Sequence, residues 1–252
     1  MTQPRTLTLI VYAPALAGTD GRALDAIQGM EKALPGLRLE WRISESGRPI
    51  PLPQRDAWLM KSIEDGGFPL LCNGNESYPV TVMGCENSAL FSPGGQAQFE
   101  VHAKLPLDPP VLTATAAVLE AVAEGAQAFW GHASQQGYGS EIAKQLRRSA
   151  SGPDHSPRGL PMLSLPEKLP EKETPSFLGW VNYWSAATAR TIGFPDPARD
   201  TDLLTRARRT ASGGWVVQLT DTPLDYDNPT HLDALKRTYE RFPQIGGRAD
   251  LR

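Results

Sequence analysis

Between residues 6 and 43 the hydrophobic period of the chain switches from two to helical and back to two, and this restricts it to folds that mix strands with helices. Leu7, Leu9 and Val11 alternate with Thr8, Ile10 and Tyr12, and the run stops at Pro14, which predicts a buried first strand. Ala23, Ile27, Met30 and Leu34 then recur at helical spacing, with Asp20 placed to cap the helix and Pro35-Gly36 to end it. Leu37, Leu39, Trp41 and Ile43 return to strict alternation against Arg38, Glu40 and Arg42, which predicts a half-buried strand.

The rest of the chain continues the mixture. After a proline-rich turn at Pro49, Pro51 and Pro53, residues Gln54 to Asp65 predict a short helix closed by Gly66-Gly67. Phe68 to Cys72, Tyr78 to Met83 and Gln96 to Leu105 are extended runs separated by Asn73-Gly74-Asn75 and Ser92-Pro93-Gly94-Gly95, the pattern of an antiparallel meander. Asp108-Pro109-Pro110 opens the longest helix, whose apolar stripes carry it through Phe129 and Trp130. Glu141 to Arg148 predicts another short helix. Six prolines from Pro153 to Pro175 exclude regular structure, while Leu160, Met162, Leu163 and Leu165 mark residues 151–176 as an ordered connection lying on a core. Beyond it are an aromatic run from Phe177 to Trp184, a helix from Ser185 to Ile192 and a strand from Trp215 to Leu219. A last helix starts at Asn228-Pro229, with Leu232, Leu235, Tyr239 and Phe242 as its stripe. The expected architecture is α/β (α+β): a mixed, largely antiparallel sheet flanked by helices, in a single domain over residues 1–252.

At 252 residues and 40% hydrophobic content the chain can bury a sizeable core. Its net charge of −3 gives neither a footprint for nucleic acid nor a polybasic membrane patch. The apolar run Thr6 to Ala13 is too short for a signal core or a membrane span, so a cytoplasmic location is expected. Two cysteines, Cys72 and Cys85, are too few for a disulfide framework and are expected as buried thiols.

The common templates for chemistry are missing: no nucleophile elbow, no phosphate-binding loop and no paired zinc-protease histidines. Gly137-Tyr138-Gly139 begins like a dinucleotide fingerprint but lacks the third glycine and a predicted strand before it. His102, His132, His155 and His231 are scattered, with His102 expected in the core. No catalytic residue, cofactor or metal set is therefore read from the spacing. Arg199, Arg206, Arg208 and Arg209 read as a solvated or ion-paired basic stretch. Asp221, Asp225 and Asp227 fit turns ahead of a helix, and they also offer an acidic surface to a basic partner. Trp180, Asn182, Tyr183 and Trp184 supply core area or binding hot spots, since alternation divides them between two faces. The polar loop bearing Asn73, Asn75, Glu76 and Tyr78 is a further candidate surface.

Word-like stretches carry a resemblance over nearly the whole chain. They are Met30-Glu31-Lys32-Ala33-Leu34-Pro35-Gly36-Leu37, Gly66-Gly67-Phe68-Pro69-Leu70, Gly179-Trp180-Val181-Asn182-Tyr183-Trp184 and Gly214-Trp215-Val216-Val217-Gln218-Leu219-Thr220. In these the chain resembles an uncharacterised bacterial family of about this length. Through the strand-helix-strand opening, the glycine-tryptophan-x-asparagine-tyrosine segment and the closing strand and helix, it is more distantly similar to the immunity protein 52 family of polymorphic toxin systems. That resemblance implies a small cytoplasmic protein that binds and blocks a cognate toxin, with no catalytic residues to carry over. The alternatives left open are an enzyme whose site assembles from scattered residues, such as His102, Glu100 or the late aspartates, and a scaffold or signalling module.

Overall fold

The computed structural model describes residues 6–17, 20–62, 66–146 and 155–251. Its strands are β1 (Thr6–Pro14), β2 (Trp41–Ile43), β3 (Pro49–Pro51), β4 (Phe68–Cys72), β5 (Thr81–Asn87), β6 (Gln98–Pro106), β7 (Trp130–Gln135), β8 (Val181–Trp184), β9 (Ala207–Arg209) and β10 (Trp215–Gln218). Its helices are α1 (Arg22–Ala33), α2 (Arg55–Ser62), α3 (Pro109–Gly125), α4 (Tyr138–Gln145), α5 (Ala186–Ile192), α6 (Thr201–Leu204) and α7 (Pro229–Arg241). All ten strands form one sheet in the order β3-β2-β4-β5-β6-β1-β7-β8-β10-β9. Every strand pair in that order is antiparallel.

β1 lies at the centre because its alternation serves two faces at once. Leu7, Leu9, Val11 and Ala13 are buried on the face covered by α1 and α3, together with Phe99, Val101, Ala103 and Leu105 of β6. The two helices cross closely: a Cβ on Gly29 would lie 2.7 Å from the Ala121 carbonyl oxygen, and one on Gly125 would lie 2.6 Å from the Ala26 nitrogen. No larger residue fits either crossing point without moving a backbone. Asp108 starts α3 as expected, its carboxylate accepting from the Val111 N–H at 3.0 Å.

On the other face, cover is unequal. Over β7, β8 and β10 the proline-rich connection packs down with Leu160, Met162 and Leu163 buried, and α7 adds Leu235 and Tyr239. Over β5, β6 and the adjoining side of β1, Thr8, Ile10, Tyr12, Glu100 and His102 are only partly covered and Met83 and Lys104 are exposed. Among its described residues, 155–176, the connection holds no helix or strand beyond a 3₁₀ turn at Pro166–Lys168; residues 151–154 fall outside the described set.

Several boundaries differ from the sequence reading. Leu37 and Leu39 are buried, but only Trp41–Ile43 joins the ladder. The proline turn at Pro49–Pro51 is itself β3, a sheet edge, where a missing N–H is tolerated. The longest helix stops at Gly125, and Trp130, expected at its end, begins the central strand β7. Residues 63–65 and Arg147 and Arg148, expected in helices, lie outside the described residues.

Candidate functional site

The glycine-tryptophan-x-asparagine-tyrosine segment is interior. Trp180, Asn182, Tyr183 and Trp184 are each 2% exposed or less, so neither face of β8 is left for a partner. Trp184 is registered opposite Trp130 and stacks edge-on with Phe194 and Phe242. Trp180 donates its indole N–H to the Thr220 carbonyl at 2.7 Å. Tyr183, on the α3 side, donates to Glu124 at 3.0 Å, and its hydroxyl pKa is raised by burial and then by the Glu124 charge. Asn182 closes a ring with Gly179, accepting from its N–H at 2.8 Å and donating to its carbonyl at 3.0 Å. Gly179 admits no side chain, since a Cβ there would lie 2.6 Å from Ser134 Oγ and 2.8 Å from His132 Cβ. The segment is a device for seating β8 against β7.

The remaining sequence candidates stand at the surface, and strand register puts them on one end of the sheet. Loop 73–78 joins the end of β4 to the start of β5 at Thr81. Thr81 is opposite Lys104, Lys104 opposite Thr8, and Thr8 opposite Ser134; the neighbouring row runs through Ala133 and Val181 to Gln218, the last residue of β10. Asp221 comes three residues later, and Asp225 and Asp227 lie in the turns between it and α7. The strand ends from which the loop and the aspartate segment extend are therefore five strand spacings apart, on the order of 24 Å.

Both segments are held in shape by their own polar groups. Asn73 accepts from the Val80 N–H at 3.1 Å and donates to the Tyr78 carbonyl at 2.8 Å. Asn75 accepts from the Ser77 and Tyr78 N–H groups, leaving its neighbour Glu76 exposed. Tyr78 bonds Asp108, and burial together with that contact pushes its pKa up to about 12. Asp225 accepts from the Asp227 N–H at 2.9 Å, and Asp227 from Arg158 at 2.7 Å. Asp221 and Asp225 are exposed. The basic stretch divides: Arg199 and Arg206 line one cleft with Asp200 and Arg241, Arg208 pairs with Glu120 of α3, and Arg209 is exposed on the edge strand β9.

The half-covered face carries the groups that spacing did not bring together. His132, not His102, is the core histidine: it is 1% exposed, and burial lowers its pKa to about 3, so the ring is neutral. Its Nε2 is buried without a hydrogen-bond partner among the described residues, and the residue lines an open cleft of ≈ 670 Å³ together with Thr8, Ile10, Lys104, Tyr138 and Phe177. His102 is only half-buried and bonds Glu100 at 2.7 Å. Cys85 is opposite Glu100 across the β5–β6 ladder and is half-buried rather than in the core. Its thiol pKa is raised by burial and by the Glu100 charge. Gly137 does follow a strand and opens α4, but β7 is flanked by antiparallel neighbours and the third glycine of a dinucleotide fingerprint is absent.

One further surface has no sequence signal beyond hydrophobicity. Leu90 and Phe91, on a 3₁₀ turn between β5 and β6 at the opposite end of the sheet, are 73% and 58% exposed.

Comparison places this architecture. The model of a domain of unknown function, DUF5953, matches residues 18–250. The chain belongs to the DUF5953 family. Among solved structures, the DUF5953 chain shares its fold with one described as Pseudomonas aeruginosa T6SS protein PA0821, at a TM-score of 0.53 and 14% identity over 96% of this chain and 73% of that one. No curated protein matches the sequence. Among the described residues no helix is long and apolar enough to cross a membrane.

Proposed function

We propose that this DUF5953 protein is a cytoplasmic immunity protein that binds a cognate secreted bacterial toxin, such as a nuclease effector, covers the toxin's active site and performs no catalysis of its own. The observation that carries the reading is the shared sheet end, where loop 73–78 and the Asp221–Asp227 turn present exposed acidic groups on backbones already fixed by hydrogen bonds. Pre-fixed loops lose little entropy on docking. A separation on the order of 24 Å fits within one interface of about 800 Å² per partner, a patch roughly 30 Å across. The fold shared with a T6SS protein and the resemblance to immunity protein 52 support a role beside a secretion system.

The test is co-expression with the product of the adjacent gene. A stable complex and protection of cells from that product are expected; no complex and no protection would reject the proposal. The cleft beside His132 is the specific observation favouring a second reading, an enzyme with a site on the half-covered face, and a small molecule retained through purification would favour it.

A further inference from the structure

We infer that Cys85, Glu100 and His102 form a zinc-class metal site on the half-covered face of the sheet, independent of toxin binding. Antiparallel register builds the donor set. Glu100 and His102 are two residues apart on β6 and therefore project from the same face, and Cys85 of β5 is directly opposite Glu100. A sulfur, a carboxylate oxygen and an imidazole nitrogen from these residues all lie within 4.8 Å of one another. Zinc bonds of about 2.0–2.3 Å place tetrahedral donors roughly 3.3–3.8 Å apart, so small side-chain rotations close the set.

The donor chemistry selects the ion. Sulfur with imidazole disfavours magnesium and calcium, which take oxygen, and suits zinc or its spectroscopic substitute cobalt(II). Three protein donors leave the fourth tetrahedral position to water, and His102 retains a side-chain exposure of 35% through which an ion can enter. Support from outside the set is present as well: Asn87 donates to the other Glu100 oxygen at 3.1 Å, fixing the carboxylate as outer-shell partners do in metal sites. Binding releases the Cys85 thiol proton to solvent, shifts the His102 ring proton from Nε2 to Nδ1, and replaces the Glu100–His102 hydrogen bond by two bonds to the ion.

Cobalt(II) titration of the reduced, full-length protein tests the site. One equivalent is expected to give a thiolate-to-cobalt charge-transfer band that zinc displaces. Cys85→Ser should abolish the band and Cys72→Ser should keep it, since the chain has only these two cysteines. His102→Ala and Glu100→Gln should each weaken zinc binding at least tenfold. In the unmodified protein, zinc should protect Cys85 from alkylation, read by peptide mass spectrometry, which keeps the test independent of how well any variant folds. No band, a band that survives Cys85→Ser, or Cys85 alkylation unchanged by zinc overturns the inference.

Discussion

His102 and His132 are registered opposite the same residue, Ile10, from the two strands that flank β1, yet one is half-buried and the other fully buried. The difference comes from what lies above the sheet. Phe177 and Tyr138 close over His132, with ring centroids 5.2 and 4.9 Å away, whereas His102 keeps 35% of its side chain exposed. Burial holds the His132 pKa at about 3 in the folded chain against 6.5 for the free side chain. The unfolded chain therefore takes up the proton first as pH falls. Stability from this group is complete above pH 6.5 and declines by about 1.4 kcal/mol per pH unit toward pH 3. Urea unfolding of His132→Phe between pH 8 and 4 should show a flatter dependence than the unmodified protein; parallel curves would remove His132 as the cause.

Asn182 satisfies both backbone groups of Gly179 inside the core. Asn182→Leu leaves that N–H and carbonyl without partners and should destabilise the fold by about 2–4 kcal/mol in chemical denaturation. Gly179→Ala should be at least as costly, because β7 occupies the space its Cβ needs. A loss below about 0.5 kcal/mol for Asn182→Leu would mean the ring with Gly179 is not what seats β8.

This segment also marks how far the sequence could be read. Periodicity and capping chemistry disclosed β1, α1, the β4–β6 meander, the start of α3, β10 and α7, because each carries its own local signal. β7 was hidden: Trp130-Gly131-His132-Ala133-Ser134-Gln135 has no β-branched residue, and the apolar spacing of α3 runs on into Trp130. Misplacing β7 concealed why the tryptophans are buried, since a strand between β7 and β10 is covered on both faces whatever its alternation. Loop 73–78 and the late aspartates were legible as surface because turn residues and charges resist burial. Their common end of the sheet, and the Cys85–Glu100–His102 group, depend on register between distant strands, which a single sequence does not display.

If the acidic end of the sheet meets the partner, charge there should act on encounter more than on the bound state. Asp221→Lys combined with Asp225→Lys should slow association with the captured toxin about tenfold at low ionic strength, with the difference shrinking as salt is raised. Leu90→Ala with Phe91→Ala, at the opposite end, should leave both rate and affinity unchanged. Stopped-flow association at several salt concentrations separates the two ends, and a large affinity loss confined to the Leu90 and Phe91 change would move the interface to the β5–β6 turn.

The ion pair between Asp200 and Arg241 ties the start of α6 to the end of α7. Arg241 grips both carboxylate oxygens, Nε to Oδ1 at 2.6 Å and a terminal nitrogen to Oδ2 at 3.0 Å, while Asp200 also accepts the Asp196 N–H at 2.7 Å. The Asp200 side chain has no exposure and that of Arg241 has 16%, so solvent can compensate little for a lost partner. Removing one member strands the other: Arg241→Ala should destabilise by about 3–5 kcal/mol. Asp200→Ala should cost a similar amount, since it also orphans the Asp196 amide and leaves the guanidinium with the Gly193 carbonyl at 2.9 Å and the Phe242 ring but no counter-charge from Asp200. Making both changes together should cost clearly less than their sum, because neither charge is then left behind. Thermal or urea unfolding of the three variants forms a double-mutant cycle whose coupling should exceed about 1 kcal/mol. Strict additivity would mean that α6 and α7 are held by the surrounding apolar contacts, with the ion pair a bystander.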